Sequence, residues 1–152
     1  MTSVLFVCTG NVCRSPLAEG LLKARLGELQ RLDIEVDSAG IHAMVDEPPQ
    51  PFSIELAREL GGDISALKGR QLDPADFEKS DHLIAMDLGH LDSLNATRPT
   101  ENTSDIRLLL DGVGDFKRLE VPDPFRRDRS DYGFSARLIN IGIEHLLKRI
   151  CD

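Results

Sequence analysis

The chain has 152 residues, enough for one domain that buries its own core without disulfides or bound metal. Hydrophobic residues make up 41% and charged residues 29% of it, a composition that excludes a disordered protein. The net charge of −8 excludes broad electrostatic attraction to nucleic acid or to anionic membrane surfaces, so an anionic substrate would need a local site.

The first quarter of the chain predicts a strand, a helix and a second strand. Residues 3–8 form a short apolar run rich in β-formers, which is typical of a buried strand. Ser15 and Pro16 are typical of a helix start, with Ser15 as the cap, and a leucine stripe continues this helix to Leu29. Residues 34–38 alternate between apolar and polar side chains, as a half-buried strand does.

The middle of the chain predicts a loop, helical segments and a third strand. Prolines interrupt residues 39–51, which predicts a loop, and residues 52–60 follow as a helix that ends at two glycines. Asp73 and the proline after it begin a short helical turn. Residues 82–86 predict the third strand, and a helix follows it through Leu94.

The last third of the chain predicts one more strand and one more helix. Residues 96–105 are a polar linker, and residues 106–110 form the fourth strand. Two glycines and two prolines make residues 111–129 a long loop. Residues 135–150 carry apolar side chains at helical spacing and predict a final amphipathic helix.

Strands that alternate with helices predict an α/β fold, with a four-stranded parallel sheet and helices on both faces, in a single domain over residues 1–152. Ligands bind at the carboxyl ends of such strands, which predicts a phosphate-binding loop after the first one. The apolar run at residues 4–8 is too short for a signal peptide or a membrane span, so we expect a cytoplasmic protein without membrane insertion. Three cysteines, without the spacing of a zinc site, predict reduced thiols and no metal.

The segment Cys8-Thr-Gly-Asn-Val-Cys-Arg-Ser-Pro16 joins the first strand to the first helix. Such a loop turns successive backbone N–H groups toward one point, and the helix dipole adds positive potential, which predicts an anion site. Gly10 permits the tight backbone course, and Arg14 can hold two phosphate oxygens. The same field favours a Cys8 thiolate, a nucleophile for phosphorus. The residues expected to bind phosphate follow this cysteine: Thr9, Gly10, Asn11, Val12, Cys13, Arg14 and Ser15.

A nucleotide-binding loop of the form Gly-x-x-x-x-Gly-Lys-Ser/Thr does not fit this segment. Gly10 is followed five residues later by Ser15, and no lysine comes next. The segment therefore favours a cysteine-based phosphate chemistry over nucleotide hydrolysis.

The segment resembles the signature of low-molecular-weight protein-tyrosine phosphatases, and the resemblance extends over essentially all 152 residues. Residues 37–40 are similar to the family's second-strand segment, and residues 68–71 lie where members have Ala-Arg-Gln, with Gly69 in place of the alanine. Residues 83–87 match the third strand and its aspartate, and residues 121–124 resemble the acid loop.

This resemblance implies that the chain hydrolyses phosphotyrosine without a metal or other cofactor. Cys8 would attack phosphorus while Asp123 protonates the leaving phenol, and Asp123 would then activate the water that hydrolyses the phosphocysteine. Arg14 and the loop amides would stabilise the charge. Pro122 and Pro124 stiffen the loop that presents Asp123. The substrate would be a phosphorylated protein and the product inorganic phosphate, with no nucleic-acid partner.

The resemblance also assigns supporting residues around the loop. Asn11 and Ser38 would hold its shape by side-chain hydrogen bonds, while Ser15 would hydrogen-bond the thiolate as well as cap the helix. Asp87 would orient Arg14, and the alternative for it is an ordinary helix cap after the third strand.

Cys13 resembles the family's second loop cysteine, which protects the nucleophile through a reversible Cys8–Cys13 disulfide. The alternative is that Cys13 is a small buried residue. The four histidines do not cluster in the sequence, so each is interpreted as structural or exposed: His42, His82, His90 and His145.

The residues expected to form the substrate pocket are Thr9, Met44, Phe125 and Arg126. Phe125 can stack on a substrate ring with Met44 on the opposite wall, which favours phosphotyrosine. Thr9 leaves a second reading open, because members that are protein-arginine phosphatases have threonine there and an Asp-Pro-Phe acid loop. Asp87 and residues 126–129 instead resemble bacterial members paired with tyrosine autokinases of polysaccharide export. The arginines of that run would form a basic lip at the pocket that meets an acidic or multiply phosphorylated tail, and the alternative is a solvated loop.

Two other functions of this family and fold have less support. Arsenate reduction needs a relay of further cysteines, and none lies between Cys13 and Cys151. A module that binds phosphoproteins without turnover would have no need of Cys8, Arg14 and Asp123 together.

Overall fold

The structure is a computed structural model that describes residues 1–114 and 120–151. Its strands are β1 (Thr2–Cys8), β2 (Ile34–Gly40), β3 (His82–Ala85) and β4 (Asp105–Leu108). Its helices are α1 (Arg14–Glu28), α2 (Pro51–Glu59), α3 (Ala75–Lys79), α4 (Leu88–Thr97) and α5 (Arg129–Ile150). The strands form one parallel sheet in the order β2-β1-β3-β4, which confirms the predicted fold class.

The side chains of β1 alternate between two hydrophobic layers. Val4 and Phe6 pack into the layer that contains α1, α2 and α5. Leu5 and Val7 pack into the opposite layer, beside Phe77 of α3 and side chains of α4. Because both faces of the strand are buried, its sequence is a continuous apolar run, as expected for the centre of a parallel sheet.

The start of α1 differs from the prediction. The helix begins at Arg14 with Cys13 at the cap position, and no side chain caps it. The prediction that Ser15 caps this helix is therefore wrong. The Ser15 side chain points to the Cys8 sulfur instead, so the first N–H groups of the helix have no side-chain acceptor.

The starts of α2 and α5 also lie earlier than predicted. The sequence pattern predicts Pro51 in the loop, but it is the first residue of α2, where a proline loses no hydrogen bond. Helix α5 begins at Arg129 rather than at residue 135, because the Asp128 carboxylate accepts a 3.1 Å hydrogen bond from the Asp131 N–H and caps the helix. The predicted start followed the first apolar positions and missed this polar first turn.

The elements around β4 are shifted by a few residues. Helix α4 continues to Thr97, into the predicted linker, and β4 ends at Leu108 rather than at residue 110. Leu109 and Leu110 leave the sheet and pack in the core, where Leu109 lies against Gly142 of α5. Of the predicted loop at 111–129, residues 115–119 lie outside the described part of the chain.

The carboxyl end of β1 lies between those of its neighbours, with Cys8 opposite Gly40 and Val7 opposite Ala85. The loop to α1 therefore emerges at the middle of the sheet edge, where α/β proteins bind ligands. In the described residues, no helix is long and apolar enough to cross a membrane, and no three His, Cys, Asp or Glu side chains form a group that could hold a metal ion.

Candidate active site

The loop after β1 holds its carbonyl groups on its outer side. The carbonyl oxygens of residues 8–10 each accept a 2.9 Å hydrogen bond from a backbone N–H in residues 41–44. The carbonyl oxygen of Val12 accepts another from the Gln50 N–H at 2.8 Å. The loop and the segment after β2 are therefore fixed to each other along their length. A Cβ at Gly40 would lie 2.6 Å from the Thr9 oxygen, so glycine is required for this close approach.

The backbone N–H groups of the same loop are arranged differently from its carbonyl groups. In the described residues, the N–H groups of residues 10–13 donate to no acceptor. Asn11 adopts a left-handed conformation with φ of 61°, which turns neighbouring N–H groups toward one side. Because the carbonyls are held on the outside, these donors are left for an anion beside Cys8.

A chain of buried hydrogen bonds ends at the Cys8 sulfur. Ser15 Oγ lies 2.9 Å from Cys8 Sγ, and Asn11 Nδ2 donates to Ser15 Oγ at 2.8 Å and to Ser38 Oγ at 3.0 Å. Ser38 Oγ donates in turn to Glu19 Oε1 at 2.7 Å. Since Ser15 Oγ already accepts a hydrogen bond from Asn11, its own hydroxyl group is free to donate a hydrogen bond to the Cys8 sulfur. The predicted support by Asn11, Ser15 and Ser38 thus appears in the structure as one connected network.

The orientation of the Asn11 amide follows from its third contact. Asn11 Oδ1 accepts a 2.9 Å hydrogen bond from the Arg70 N–H, so the amide nitrogen must face Ser15 and Ser38. Arg70 is itself bound to Asp76 at 3.0 Å. Residues far apart in the sequence therefore fix the loop that surrounds Cys8.

Arg14 is buried, with 3% of its side chain exposed, and is held by several acceptors. Its Nη1 donates to Asp87 Oδ2 at 2.9 Å and to the Val121 carbonyl at 2.8 Å, and its Nη2 lies 3.4 Å from Thr9 Oγ1. In the described residues, its buried Nε has no hydrogen-bond partner. Such an unpaired donor costs free energy unless a ligand accepts from it, so it marks a candidate anion-binding position.

Asp87 fills both of the roles left open by the sequence. Its carboxylate caps α4 by accepting a 3.0 Å hydrogen bond from the His90 N–H, and it also binds Arg14. Burial opposes ionisation of Asp87, but the His90 N–H and the Arg14 guanidinium outweigh it and hold the pKa of Asp87 below its usual range. Asp87 is therefore a charged partner that fixes one side of the Arg14 guanidinium.

Asp123 lies at the open side of the loop. Its Oδ2 is 3.6 Å from Arg14 Nη2, and 48% of its side chain is exposed. Its Oδ1 accepts a 3.1 Å hydrogen bond from the Phe125 N–H, which fixes the turn. Val121 and Pro122, which precede Asp123, are both anchored. The Val121 N–H donates to the Met86 carbonyl at 2.8 Å, and the Pro122 carbonyl accepts from a hydroxyl of α5. The carboxyl thus stands beside the anion site on a firmly held loop.

These residues line a pocket with a cavity volume of about 150 Å³. The predicted site residues that line it are Cys8, Thr9, Gly10, Val12, Cys13, Arg14, Met44, Asp123 and Phe125. Asn11 and Ser15 lie behind the loop and hold it rather than face the pocket. His42, interpreted from the sequence as structural or exposed, is exposed and lines the same pocket.

The prediction of a basic lip is wrong in part. Arg126 was assigned to the pocket, but it is not among the lining residues; its guanidinium carbon lies 5.3 Å from the centre of the Phe125 ring. Arg129 turns away and binds Glu55 at 2.9 Å and Glu59 at 2.8 Å. The two glutamates of α2 neutralise this arginine, so it adds no positive charge at the pocket entrance.

Cys13 and Tyr132 form a buried pair behind the loop. Cys13 Sγ lies 3.5 Å from Tyr132 Oη, and the Tyr132 ring packs edge-on against Phe52 at 5.3 Å. Burial raises the pKa of Cys13 to about 12, so this residue stays a protonated thiol. Cys8 and Cys13 are both free thiols here, and the reversible disulfide stays a prediction.

Sequence reasoning missed Glu19, Arg70, His90 and Tyr132, and each has a different reason. Glu19 carries a signal, since it lies four residues after Ser15 and therefore on the same side of α1. Arg70 and Tyr132 reach the loop through contacts across 59 and 119 residues, for which periodicity gives no indication. His90 is three residues after Asp87, a spacing that puts it beside a helix cap.

His90 makes stability depend on pH. It is only 4% exposed, and burial lowers its pKa to about 4 despite the nearby Asp87 carboxylate. Above pH 6.5 the histidine is neutral in both states. Between pH 6.5 and 4 the unfolded chain binds a proton that the folded chain does not, so we expect the free energy of unfolding to fall by up to about 3 kcal/mol.

Denaturant unfolding at pH 7, 6 and 5 measures this loss for the wild type and for His90→Gln. The variant lacks the titrating group and should show a clearly shallower decline. Equal slopes for the two proteins would mean that His90 does not titrate with a lowered pKa.

Gly69 sets the position of the Met44 wall. The Gly69 N–H donates to the Glu47 carbonyl and its own carbonyl accepts from Asp46, while a Cβ here would lie 2.2 Å from the Met44 oxygen. We expect Gly69→Ala to destabilise the protein by about 1–3 kcal/mol and to raise KM for aryl phosphates by displacing Met44.

The matched control for that change is Gly27→Ala, because nothing lies within 4 Å of a Cβ at this helical position. It is expected to leave KM unchanged and to stabilise the protein slightly. Chemical denaturation and steady-state kinetics of both variants check the prediction. An unchanged KM in Gly69→Ala would mean that Gly69 does not set the shape of the pocket.

Comparisons with known proteins agree with this geometry. A profile described as low molecular weight phosphotyrosine protein phosphatase matches residues 3–152. The low molecular weight protein-tyrosine-phosphatase YfkJ of Bacillus subtilis is 38% identical over 153 residues, covering 99% of this chain and 96% of that protein. Its crystal structure superimposes with a TM-score of 0.91 at 37% identity, over 99% of this chain and 94% of that one.

Two further solved structures are similar over nearly the whole chain. A low molecular weight phosphotyrosine phosphatase of Vibrio cholerae O395 has a TM-score of 0.91 at 32% identity, covering 100% of this chain and 98% of that one. Wzb of Vibrio vulnificus, solved in complex with benzylphosphonate, has a TM-score of 0.84 at 27% identity, covering 97% and 98%. With the match over residues 3–152, which includes the cysteine loop, the chain belongs to the low-molecular-weight protein-tyrosine phosphatase family and is an enzyme that acts on phosphoproteins.

Proposed function

We propose that this enzyme hydrolyses phosphotyrosine in proteins, with Cys8 as the nucleophile and Asp123 as the general acid and base. The observation that carries the proposal is the set of unpaired donors around Cys8. In the described residues, the N–H groups of residues 10–13 and the buried Nε of Arg14 have no acceptor. A phosphoryl group seated against them would have its phosphorus beside the Cys8 sulfur and its ester oxygen toward Asp123.

In the first step, the Cys8 sulfur forms a bond to phosphorus as the bond from phosphorus to the phenolic oxygen breaks. Asp123 gives its proton to that oxygen, so tyrosine leaves as a neutral phenol. The loop N–H groups and Arg14 stabilise the negative charge on the oxygens of the transferring phosphoryl group, so the compensating positive charge comes from the protein itself. The product of this step is a phosphocysteine and an ionised Asp123.

In the second step, Asp123 takes a proton from water while the water oxygen bonds to phosphorus. The sulfur–phosphorus bond breaks, and inorganic phosphate leaves with the Cys8 thiolate restored. The Ser15 hydroxyl, 2.9 Å from the sulfur, supports this departure because it can donate its proton to the developing thiolate. Asp123 is then protonated again and ready for the next substrate.

The pocket walls favour phosphotyrosine over phosphoarginine. Val12, Met44 and Phe125 present apolar surface, which suits a phenyl ring better than a polar guanidinium. The Thr9 hydroxyl, the feature that resembles arginine phosphatases, lies 2.8 Å from His90 Nε2 and is already occupied. The benzylphosphonate complex of the similar Wzb is consistent with an aromatic group in such a pocket.

The deciding experiment compares kcat/KM on peptides that differ only in carrying phosphotyrosine, phosphoarginine or phosphoserine. We expect phosphotyrosine to be preferred by at least about tenfold, since burial of an aromatic ring in a hydrophobic slot contributes a difference of this order. A preference for phosphoarginine would replace this proposal with the arginine-phosphatase reading. Cys8→Ser protein, prepared in parallel, controls for contaminating phosphatases.

The proposal also includes the cellular compartment and the partner of the enzyme. A free thiol nucleophile requires a reducing compartment, so we assign the enzyme to the cytoplasm. Its partner would be a protein that carries phosphotyrosine, and a tyrosine autokinase remains one candidate. The ion pairs of Arg129 with α2 remove one of the charges that favoured an extended phosphorylated tail.

A further inference from the structure

His90 lies between two residues of the site without facing the pocket. Its Nδ1 is 3.2 Å from Asp87 Oδ1, and its Nε2 is 2.8 Å from Thr9 Oγ1. The side chain is 6% exposed, so water does not compete for these contacts. The mechanism above makes no use of this histidine.

The surroundings determine which ring nitrogen carries the proton. The contact of Nδ1 with the Asp87 carboxylate is not aligned as a hydrogen bond, but a negative charge at 3.2 Å favours an N–H at that position. Burial lowers the pKa of His90 to about 4, so the ring is neutral and Nε2 is an acceptor. Thr9 must then donate its hydroxyl proton to His90.

This donation gives the Thr9 oxygen a defined direction. With its proton on the His90 side, Thr9 Oγ1 presents lone pairs toward Arg14 Nη2 at 3.4 Å. Arg14 Nη1 donates to Asp87 Oδ2 at 2.9 Å on the other side. The contacts close a ring that runs from Arg14 through Asp87, His90 and Thr9 back to Arg14.

The ring opposes a competing contact of the same guanidinium. Asp123 Oδ2 stands 3.6 Å from Arg14 Nη2, beyond hydrogen-bond distance. Without the Thr9 oxygen, Nη2 would be drawn to that carboxylate, away from the phosphate and onto the group that supplies the proton. The position of Nη2 therefore depends on Thr9, and the direction of the Thr9 hydroxyl depends on His90.

We propose that His90 and Thr9 are positioning residues that hold the Arg14 guanidinium in the orientation required by the transition state of phosphoryl transfer. This inference rests on the proposed function, because it concerns the arginine that stabilises the transferring phosphoryl group. It predicts effects on kcat rather than on KM, since a misdirected Nη2 loses contacts that strengthen only as charge moves onto the equatorial oxygens.

The test uses four variants with p-nitrophenyl phosphate as substrate: Thr9→Val, His90→Leu, the double variant of these two, and His90→Gln. We expect Thr9→Val and His90→Leu each to lower kcat about tenfold with KM changed by less than about twofold, the order expected for one hydrogen bond to a charged group. The double variant should be no worse than either single one, because both act through the same contact. His90→Gln should retain most of kcat, because its amide oxygen can accept from Thr9.

Two matched controls separate positioning from general structural damage. Thr97→Val removes a threonine hydroxyl that bonds to the Ser93 carbonyl of the same helix, and His82→Leu removes a histidine that lies 3.1 Å from Asp105 at the other end of the sheet. Both controls should keep the wild-type kcat. Thermal unfolding of all variants shows which are folded, and Thr9→Val, on an exposed residue, carries the test if His90→Leu fails to fold.

The outcomes are distinguishable. Suppose that the wild type hydrolyses p-nitrophenyl phosphate, that Cys8→Ser abolishes this turnover, and that Thr9→Val keeps the wild-type kcat. This result overturns the positioning role and leaves the proposed function standing. Multiplied losses in the double variant, or no retention of kcat in His90→Gln, also overturn the positioning role. A wild-type chain without turnover overturns the proposed function and this inference with it.

Discussion

Replacing Cys8 with serine is expected to lower kcat on aryl phosphates by at least about 10⁴-fold while phosphate still binds. In the proposed mechanism the Cys8 sulfur, which lines the pocket, forms the bond to phosphorus, and serine is a far weaker nucleophile at neutral pH. The proposed anion site consists of backbone N–H groups and Arg14, which the substitution leaves in place. Steady-state kinetics measure the first effect, and calorimetric titration with inorganic phosphate measures the second.

The matched control is Cys151→Ser, which removes the partly exposed thiol after α5. It should retain wild-type kcat and phosphate affinity. Retained turnover in Cys8→Ser would remove Cys8 as the nucleophile, and loss of phosphate binding there would mean that the sulfur, rather than the loop amides, dominates anion affinity.

Replacing Asp123 with asparagine is expected to lower kcat/KM by about 10²–10³-fold for esters of poor leaving groups and much less for esters of good ones. A carboxamide cannot supply the proton that an unactivated phenol requires, whereas p-nitrophenol leaves readily without it. The amide oxygen of asparagine can still accept from the Phe125 N–H at 3.1 Å, so the turn keeps its shape. The measurement is kcat/KM for a series of substituted phenyl phosphates, plotted against the pKa of the leaving phenol. This ratio reports the steps up to departure of the phenol and excludes the later hydrolysis of the phosphocysteine.

Asp131→Asn is the control, because it removes a carboxylate near Asp123 that does not line the catalytic pocket. Its plot should have the wild-type slope. A uniform loss across all leaving groups in Asp123→Asn would argue for a role in binding or in loop shape instead of proton transfer.

The fold was predictable because its determinants are local. The apolar run at residues 3–8 could only be buried on both faces, and alternation of such runs with helical stripes requires a parallel sheet. Boundaries were less predictable where polar residues form the first turn. Asp128 caps α5 ahead of any apolar side chain, and Pro51 looks the same in a sequence whether it breaks structure or begins a helix.

The candidate site was predictable only as far as its residues are close in sequence or carry a strong motif. Residues 8–16 could be assigned chemistry from their residue types, whereas Asp123 was assigned with the help of the resemblance to the family. The network behind them could not, because Asn11 meets Arg70, and Cys13 meets Tyr132, through folding of the whole chain. The same limit applies to Arg129, whose positive charge is cancelled by two glutamates on a different helix.

Because β1 lies at the centre of the sheet, binding of an inhibitor at the cysteine loop is coupled to the thermal stability of the whole protein. This strand pairs with β2 from Thr2 to Cys8 and with β3 on its other side, so the cysteine loop cannot detach while the sheet is intact. Amide hydrogens of β1 are expected to exchange only through global unfolding, at the slowest rates in the molecule. Any anion that binds the loop therefore stabilises the entire fold by mass action. A melting curve is then sufficient to screen for inhibitors of this enzyme, without a substrate.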